Sequence, residues 1–165
     1  MTNRTAFTDE EWTLLRVTPS FVSVGVAAAD PLGLFGLISE ALAGARAAAE
    51  SLNAKRDVGL FSALAADASV PPLPDVDALL GAGADAARMQ NFKDAALEHV
   101  ERAIELLERK ASSNEVDAYR LLLLRVAQEA ANASKEGGFL GIGGVRVSEK
   151  ERAFIDSVKA AAGIA

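Results

Sequence analysis

Between residues 34 and 52 the apolar side chains Leu34, Leu37, Ile38, Ala41, Leu42, Ala45, Ala49 and Leu52 recur at helical intervals. That spacing lines one face of an α-helix, whereas a strand would turn successive side chains to opposite faces. The same period returns in Met89, Phe92, Ala96, Val100, Ala103 and Leu107, and again in Val116, Tyr119, Leu123, Val126 and Ala130. Stripes of this kind are stable only when buried against one another, so the expected fold is all-α, a single-domain multi-helix bundle. Composition agrees: 50% of the 165 residues are apolar but only 5% are aromatic, which favours closely approaching helices over sheets built from aromatic and β-branched residues.

Local signals set the boundaries. Thr8 and Glu11 form a capping box with Phe7 as its hydrophobic staple, so the first helix begins near Asp9. Pro19 lacks the N–H that an interior helical position donates, and Thr18-Pro19 is expected to end or kink this helix before a second segment, 20–29. Asp30-Pro31-Leu32-Gly33 marks a turn, 53–56 a break, and Val58, Phe61, Leu64 and Ala68 a shorter helix ending near Asp67. Ser69-Val70-Pro71-Pro72-Leu73-Pro74 cannot be helical; this linker, 69–74, is expected to cross between two halves of one bundle, about 8–68 and 75–165. A long helix is expected from about Asp85 to Lys110, with Glu98–Arg102 and Glu105–Arg109 pairs on its exposed side. The turn Ser112-Ser113-Asn114 precedes a central helix, Gly137-Gly138 stops it, and a second capping box, Ser148 with Glu151, starts the last.

Several functions are disfavoured on elementary grounds. A formal net charge of −6 opposes a nucleic-acid backbone, which is held by clustered Lys and Arg. No cysteine is present, so disulfides, thiolate zinc sites and a cysteine nucleophile are out of reach, as suits a reducing cytoplasm. The apolar stretch 21–42 is interrupted by Asp30-Pro31 and Gly33, short of the roughly 20 continuous residues of a membrane span, and the N-terminal residues lack a signal-peptide core. A carboxylate-bridged metal pair needs Glu-x-x-His on facing helices, and the only histidine, His99, has Ala96 three residues before it where Glu would have to stand. His99 is expected as a helix-surface or boundary residue at the margin of the apolar stripe, and no Gly-x-Ser-x-Gly elbow accompanies it for hydrolysis. No catalytic residue, metal or cofactor is therefore expected. The acids Asp9, Glu10 and Glu11, and Glu98, Glu101, Glu105 and Glu108, are expected as solvated helix faces.

Gly137-Gly138-x-x-Gly141-x-Gly143-Gly144 raises phosphate binding, but a helix precedes it where a phosphate loop needs a strand, and no Gly-Lys-Ser/Thr ending follows. The structural alternative is a tight connection tucked onto the bundle. Were its tip exposed, Phe139, Leu140, Ile142 and Val145 with Arg146 beside them would form an interaction loop, for a partner protein, self-association or a membrane touch.

The Phe-Thr-Asp-Glu-Glu-Trp opening (7–12) and the run from Lys135-Glu136-Gly137-Gly138 through Ser148 and Glu151 resemble a group of small bacterial all-helical proteins that brings no assigned activity. The last part, Val147-Ser148-Glu149-Lys150-Glu151-Arg152 before Phe154 and Ile155, is similar to a helix start in TerB-like tellurite-resistance proteins, all-helical domains linked to metal stress. Gly143-Gly144 stands where their pattern has Asp-Gly, so no metal ligand carries over. Heavy use of Ala, Gly and Arg also suits a GC-rich bacterial genome. The resulting expectation is a non-catalytic interaction or stress-associated protein of the bacterial cytoplasm. The alternative is a small-molecule or lipid carrier, which requires a cavity of several hundred Å³ lined by Phe61, Phe92 or Tyr119.

Overall fold

The computed structural model describes residues 2–30, 37–67, 86–133 and 147–164. After a 3-10 turn at Arg4–Ala6 come six helices: α1 (Asp9–Ala29), α2 (Leu37–Ala54), α3 (Gly59–Ala66), α4 (Ala86–Lys110), α5 (Ser113–Ala133) and α6 (Glu149–Ala161). No strand occurs among the described residues. The protein is an all-α bundle; the linker 69–74 and the glycine run 137–144 lie outside the described residues.

Both capping boxes form. Thr8 Oγ1 accepts from Glu11 N while Glu11 Oε2 accepts from Thr8 N, and the Phe7 and Trp12 rings meet at 5.6 Å as a staple across the first turn. Ser148 and Glu151 repeat the reciprocal pair at the start of α6.

Pro19 does not end the first helix, which continues through it to Ala29. Proline cannot donate to the carbonyl four residues back, and that carbonyl is Leu15. Tyr119 of α5 supplies the missing donor, its hydroxyl bonding Leu15 O at 2.7 Å with the ring fully buried. A tertiary hydrogen bond thus replaces the lost local one. Thr18 Oγ1 turns back to Leu14 O at 2.7 Å, so its buried hydroxyl is also satisfied.

One hydrophobic core draws on all six helices, including Leu15 and Val26 of α1, Ala47 of α2, Phe61 of α3, Val100 and Leu107 of α4, Tyr119 and Leu123 of α5, and Phe154 and Val158 of α6. Small residues let the helices close. A Cβ at Gly25 would stand 2.5 Å from Phe154 Cζ, and one at Gly44 would overlap Ser23, so α6 and α2 approach α1 more tightly than alanine allows. α1 is long and apolar enough to cross a membrane, but 67% of its apolar window is buried within the bundle, as befits a central core helix. It is the only such helix among the described residues.

Candidate binding cleft

Two polar centres on α5, one turn apart, organise the molecule. The first is Glu115, 3% exposed. Its carboxylate accepts from Thr2 N (2.9 Å) and Thr2 Oγ1 (2.7 Å), from Leu60 N (3.0 Å), and from Ser112 N (3.0 Å) and Ser112 Oγ (2.8 Å). It therefore ties the N-terminal segment, the start of α3 and the α4–α5 turn to one buried charge. Val58, at the α3 N-cap, offers no side-chain bond, and Glu115 takes over that service for Leu60. Burial opposes the charge, but the hydrogen bonds from Thr2 and Ser112 outweigh it, lowering the Glu115 pKa to about 2. With both oxygens occupied, this acid is a structural bolt.

The second centre is Tyr119. Burial pushes its hydroxyl above the ordinary tyrosine range, and the adjacent Thr18 only partly offsets this. Its ring forms part of the floor of a cleft of about 280 Å³ between α1, α2, α3 and α5. Leu15, Leu64 and Leu122 continue the apolar lining, and Ala45, Ala48, Ala49 and Leu52 of α2 form one wall. These four follow helical spacing, and small alanines leave open the volume that larger side chains would fill.

At the edge of the cleft sit Arg16, Ser20 and Asp67. Asp67 caps α3, accepts from Trp12 Nε1 at 2.7 Å, and faces Arg16 Nη1 at 3.5 Å. The Arg16 side chain is 13% exposed and that of Asp67 24%. The cleft thus combines an apolar body with a few polar groups gathered at one edge, the usual construction of a small-molecule site.

Of the three aromatic residues named for such a cavity, Tyr119 lines it. Phe61 is fully buried in the core. Phe92 stacks on Phe21 at 5.5 Å, on the α1–α4 side of the molecule. Phe21 also stacks on His99 at 3.9 Å, and His99 Nδ1 donates to Ala95 O at 2.8 Å; the histidine is half-buried in the middle of α4, at the margin of its apolar stripe. An open groove of about 390 Å³ runs past it, lined by Asp9, Glu10, Thr13, Leu14, Val17 and Arg102. The candidate interaction loop, Phe139, Leu140, Ile142, Val145 and Arg146, lies outside the described residues.

The acidic faces are exposed at Asp9, Glu10, Glu98, Glu101, Glu105 and Glu108 and half-buried at Glu11, and several of these acids carry ion pairs. Glu98 pairs with Arg102 at 3.6 Å, and Glu105 and Arg109 form no pair among the described residues. Glu108 reaches Arg120 at 2.6 Å, while Glu11 takes Lys110 at 2.5 Å, joining the start of α1 to the end of α4. The Lys110 hydrogen bond is the main cause lowering the Glu11 pKa. Among the described residues, no cluster of three or more His, Asp or Glu side chains converges as a metal site.

Sequence reasoning missed Arg16, Ser20 and Asp67. Arg16 and Ser20 share a face of α1 at i, i+4 spacing, but nothing local connects them to Asp67. Glu115 had a local signal, since Ser112-x-x-Glu115 is itself a capping box. Compared with known proteins, the chain matches no family model, no curated protein and no solved structure.

Proposed function

We propose that this chain is a non-catalytic binding protein of the bacterial cytoplasm, holding one small, mostly apolar molecule between α1, α2, α3 and α5. The observation that carries the reading is the cleft of about 280 Å³ lined by Leu15, Tyr119, Leu122 and the alanines of α2. A water-lined apolar hollow is unfavourable, and filling it with an apolar ligand removes that surface from water. A carrier role suits the chemistry of the walls: Glu115 has its oxygens occupied and Tyr119 gives its proton to Leu15 O, so neither is placed for acid–base work. The absence of cysteine and the burial of α1 support the cytoplasmic assignment.

The test is titration with N-phenyl-1-naphthylamine, an apolar fluorophore that brightens out of water. The expected result is saturable binding of one probe per chain, abolished by Ala49→Trp, which fills the cleft from an exposed position on α2. No saturable binding, or equal binding by Ala49→Trp in a folded state verified by circular dichroism, overturns the reading.

A further inference from the structure

The lining of the cleft decides what charge its occupant can carry, and this inference rests on the binding role above. Arg16 and Asp67 are the only charged side chains among the described residues of that lining. They stand 3.5 Å apart with opposite signs, Asp67 also accepts from Trp12 Nε1 at 2.7 Å, and both residues have interactions beyond these. The edge therefore offers no net charge, and each of its ions is already engaged. An ionised ligand would give up hydration on entering and find no counter-charge in return.

Two uncharged polar side chains complete the lining. Tyr119 commits its proton to Leu15 O at 2.7 Å, so it presents its ring to the hollow. Ser20 is half-buried on α1, and its hydroxyl bonds no other described residue. The helical Ser51 and Ser157, in contrast, turn back onto the carbonyls of Ala47 at 2.7 Å and Ala153 at 3.0 Å. Ser20 thus leaves one neutral donor beside apolar volume. That volume, about 280 Å³, is nearly twice the ~150 Å³ of an apolar cavity that takes one benzene, which is room for two rings or a medium-length alkyl chain.

We propose that the cleft selects an uncharged molecule of this size carrying a single oxygen, which accepts from the Ser20 hydroxyl while the hydrocarbon lies along Ala45, Ala48, Ala49 and Leu52 against the Tyr119 ring. Such a ligand leaves the Arg16–Asp67 pair intact. A carboxylate or an ammonium head would have to compete with one member of that pair for the other.

Three molecules sharing an eight-carbon tail, 1-octanol, octanoate and 1-octylamine, separate charge from hydrocarbon when each is used to displace N-phenyl-1-naphthylamine at pH 7. Octanol is expected to compete roughly tenfold or more strongly than either ion. Because any apolar surface prefers a neutral compound, two variants test the residues named. In Ser20→Ala octanol weakens several-fold while the probe binds as before. In Asp67→Asn, which keeps an oxygen for Trp12 Nε1, the edge gains net positive charge, so octanoate improves several-fold and octylamine does not. Competition by either ion equal to that of octanol overturns the neutral ligand, as does probe binding that octanol fails to displace. Octanol unchanged in Ser20→Ala removes the hydroxyl contact, and octanoate unchanged in folded Asp67→Asn shows that the ion pair is not what excludes charge. All of these leave the apolar cleft standing, whereas failure of the probe itself to bind would remove the binding role.

Discussion

Two sites on α5 stand one turn apart and differ in how their polar groups are used. At Glu115 five hydrogen bonds converge on one carboxylate from Thr2, Leu60 and Ser112. At Tyr119 the phenol satisfies one carbonyl, and the ring lines a mostly apolar hollow with Arg16, Ser20 and Asp67 at its edge. A saturated polar cluster holds segments together, because every member lost leaves others unpaired. The difference is between a polar cluster that fastens segments together and a mostly apolar hollow between helices.

Breaking the saturated site is expected to have the largest effect. Glu115→Ala unpairs donors of three segments, the buried Leu60 N among them, and is expected to cost about 3 kcal/mol in urea unfolding. Gln is not equivalent, since an amide NH₂ in place of Oε2 would face Ser112 N, which cannot accept. The same site gives the protein an acid dependence whose sign follows from the lowered pKa. Folding depresses Glu115 from about 4.5 to about 2, so its contribution is complete above the unfolded value and disappears as pH falls from about 4.5 toward 2. At roughly 1.4 kcal/mol per unit, that contribution is about 3 kcal/mol. Unfolding free energies measured across this window should decline in the native chain and run flatter in Glu115→Ala; parallel profiles would remove Glu115 as the bolt.

The Tyr119 site is sharpened by a smaller, more diagnostic change. Tyr119→Phe keeps the cleft wall and removes only the donor to Leu15 O, at an expected cost of about 1 to 2 kcal/mol. Pro19→Ala restores a backbone N–H for that carbonyl, so the tyrosine hydroxyl should be worth less in the Pro19→Ala background. A double-mutant cycle reads this coupling directly. Additive effects would mean that the hydroxyl does not stand in for the proline's missing bond.

The helical fold was largely legible because its signals are local. The Thr8–Glu11 and Ser148–Glu151 boxes, the 3.6-residue stripes and the Phe7 staple act within a turn or two, and each forms where the residues indicate. Continuation of α1 through Pro19 was not legible, because the compensating donor comes from Tyr119 on another helix. The cleft was harder still. Tyr119 could be named as a possible wall, but a cavity is a shortage of side-chain volume among four helices, and Ala45, Ala48 and Ala49 could equally have signalled close packing. Arg16 and Asp67 meet only through the docking of α3 on α1, a tertiary relation with no trace in spacing. Glu115 lies between these cases: its bond to Ser112 belongs to a local pattern, whereas those to Thr2 and Leu60 do not.

The smallest effect expected is at a place where sequence spacing was most explicit. Glu98 and Arg102 pair at 3.6 Å with side chains 66% and 58% exposed, so water and salt screen the attraction and both chains lose freedom in making it. Glu98→Gln should leave the urea midpoint unchanged at physiological ionic strength. The Glu11–Lys110 pair differs in kind, since Lys110 also donates to Ala6 O at 3.1 Å and lies 5.7 Å from the Phe7 ring centre, fastening the end of α4 to the start of α1. Lys110→Met should therefore lower the midpoint visibly where Glu98→Gln does not. Equal shifts from the two would show that exposed helical pairing, rather than links between segments, governs stability here, and the contrast between a saturated anchor and an open cleft would lose its energetic basis.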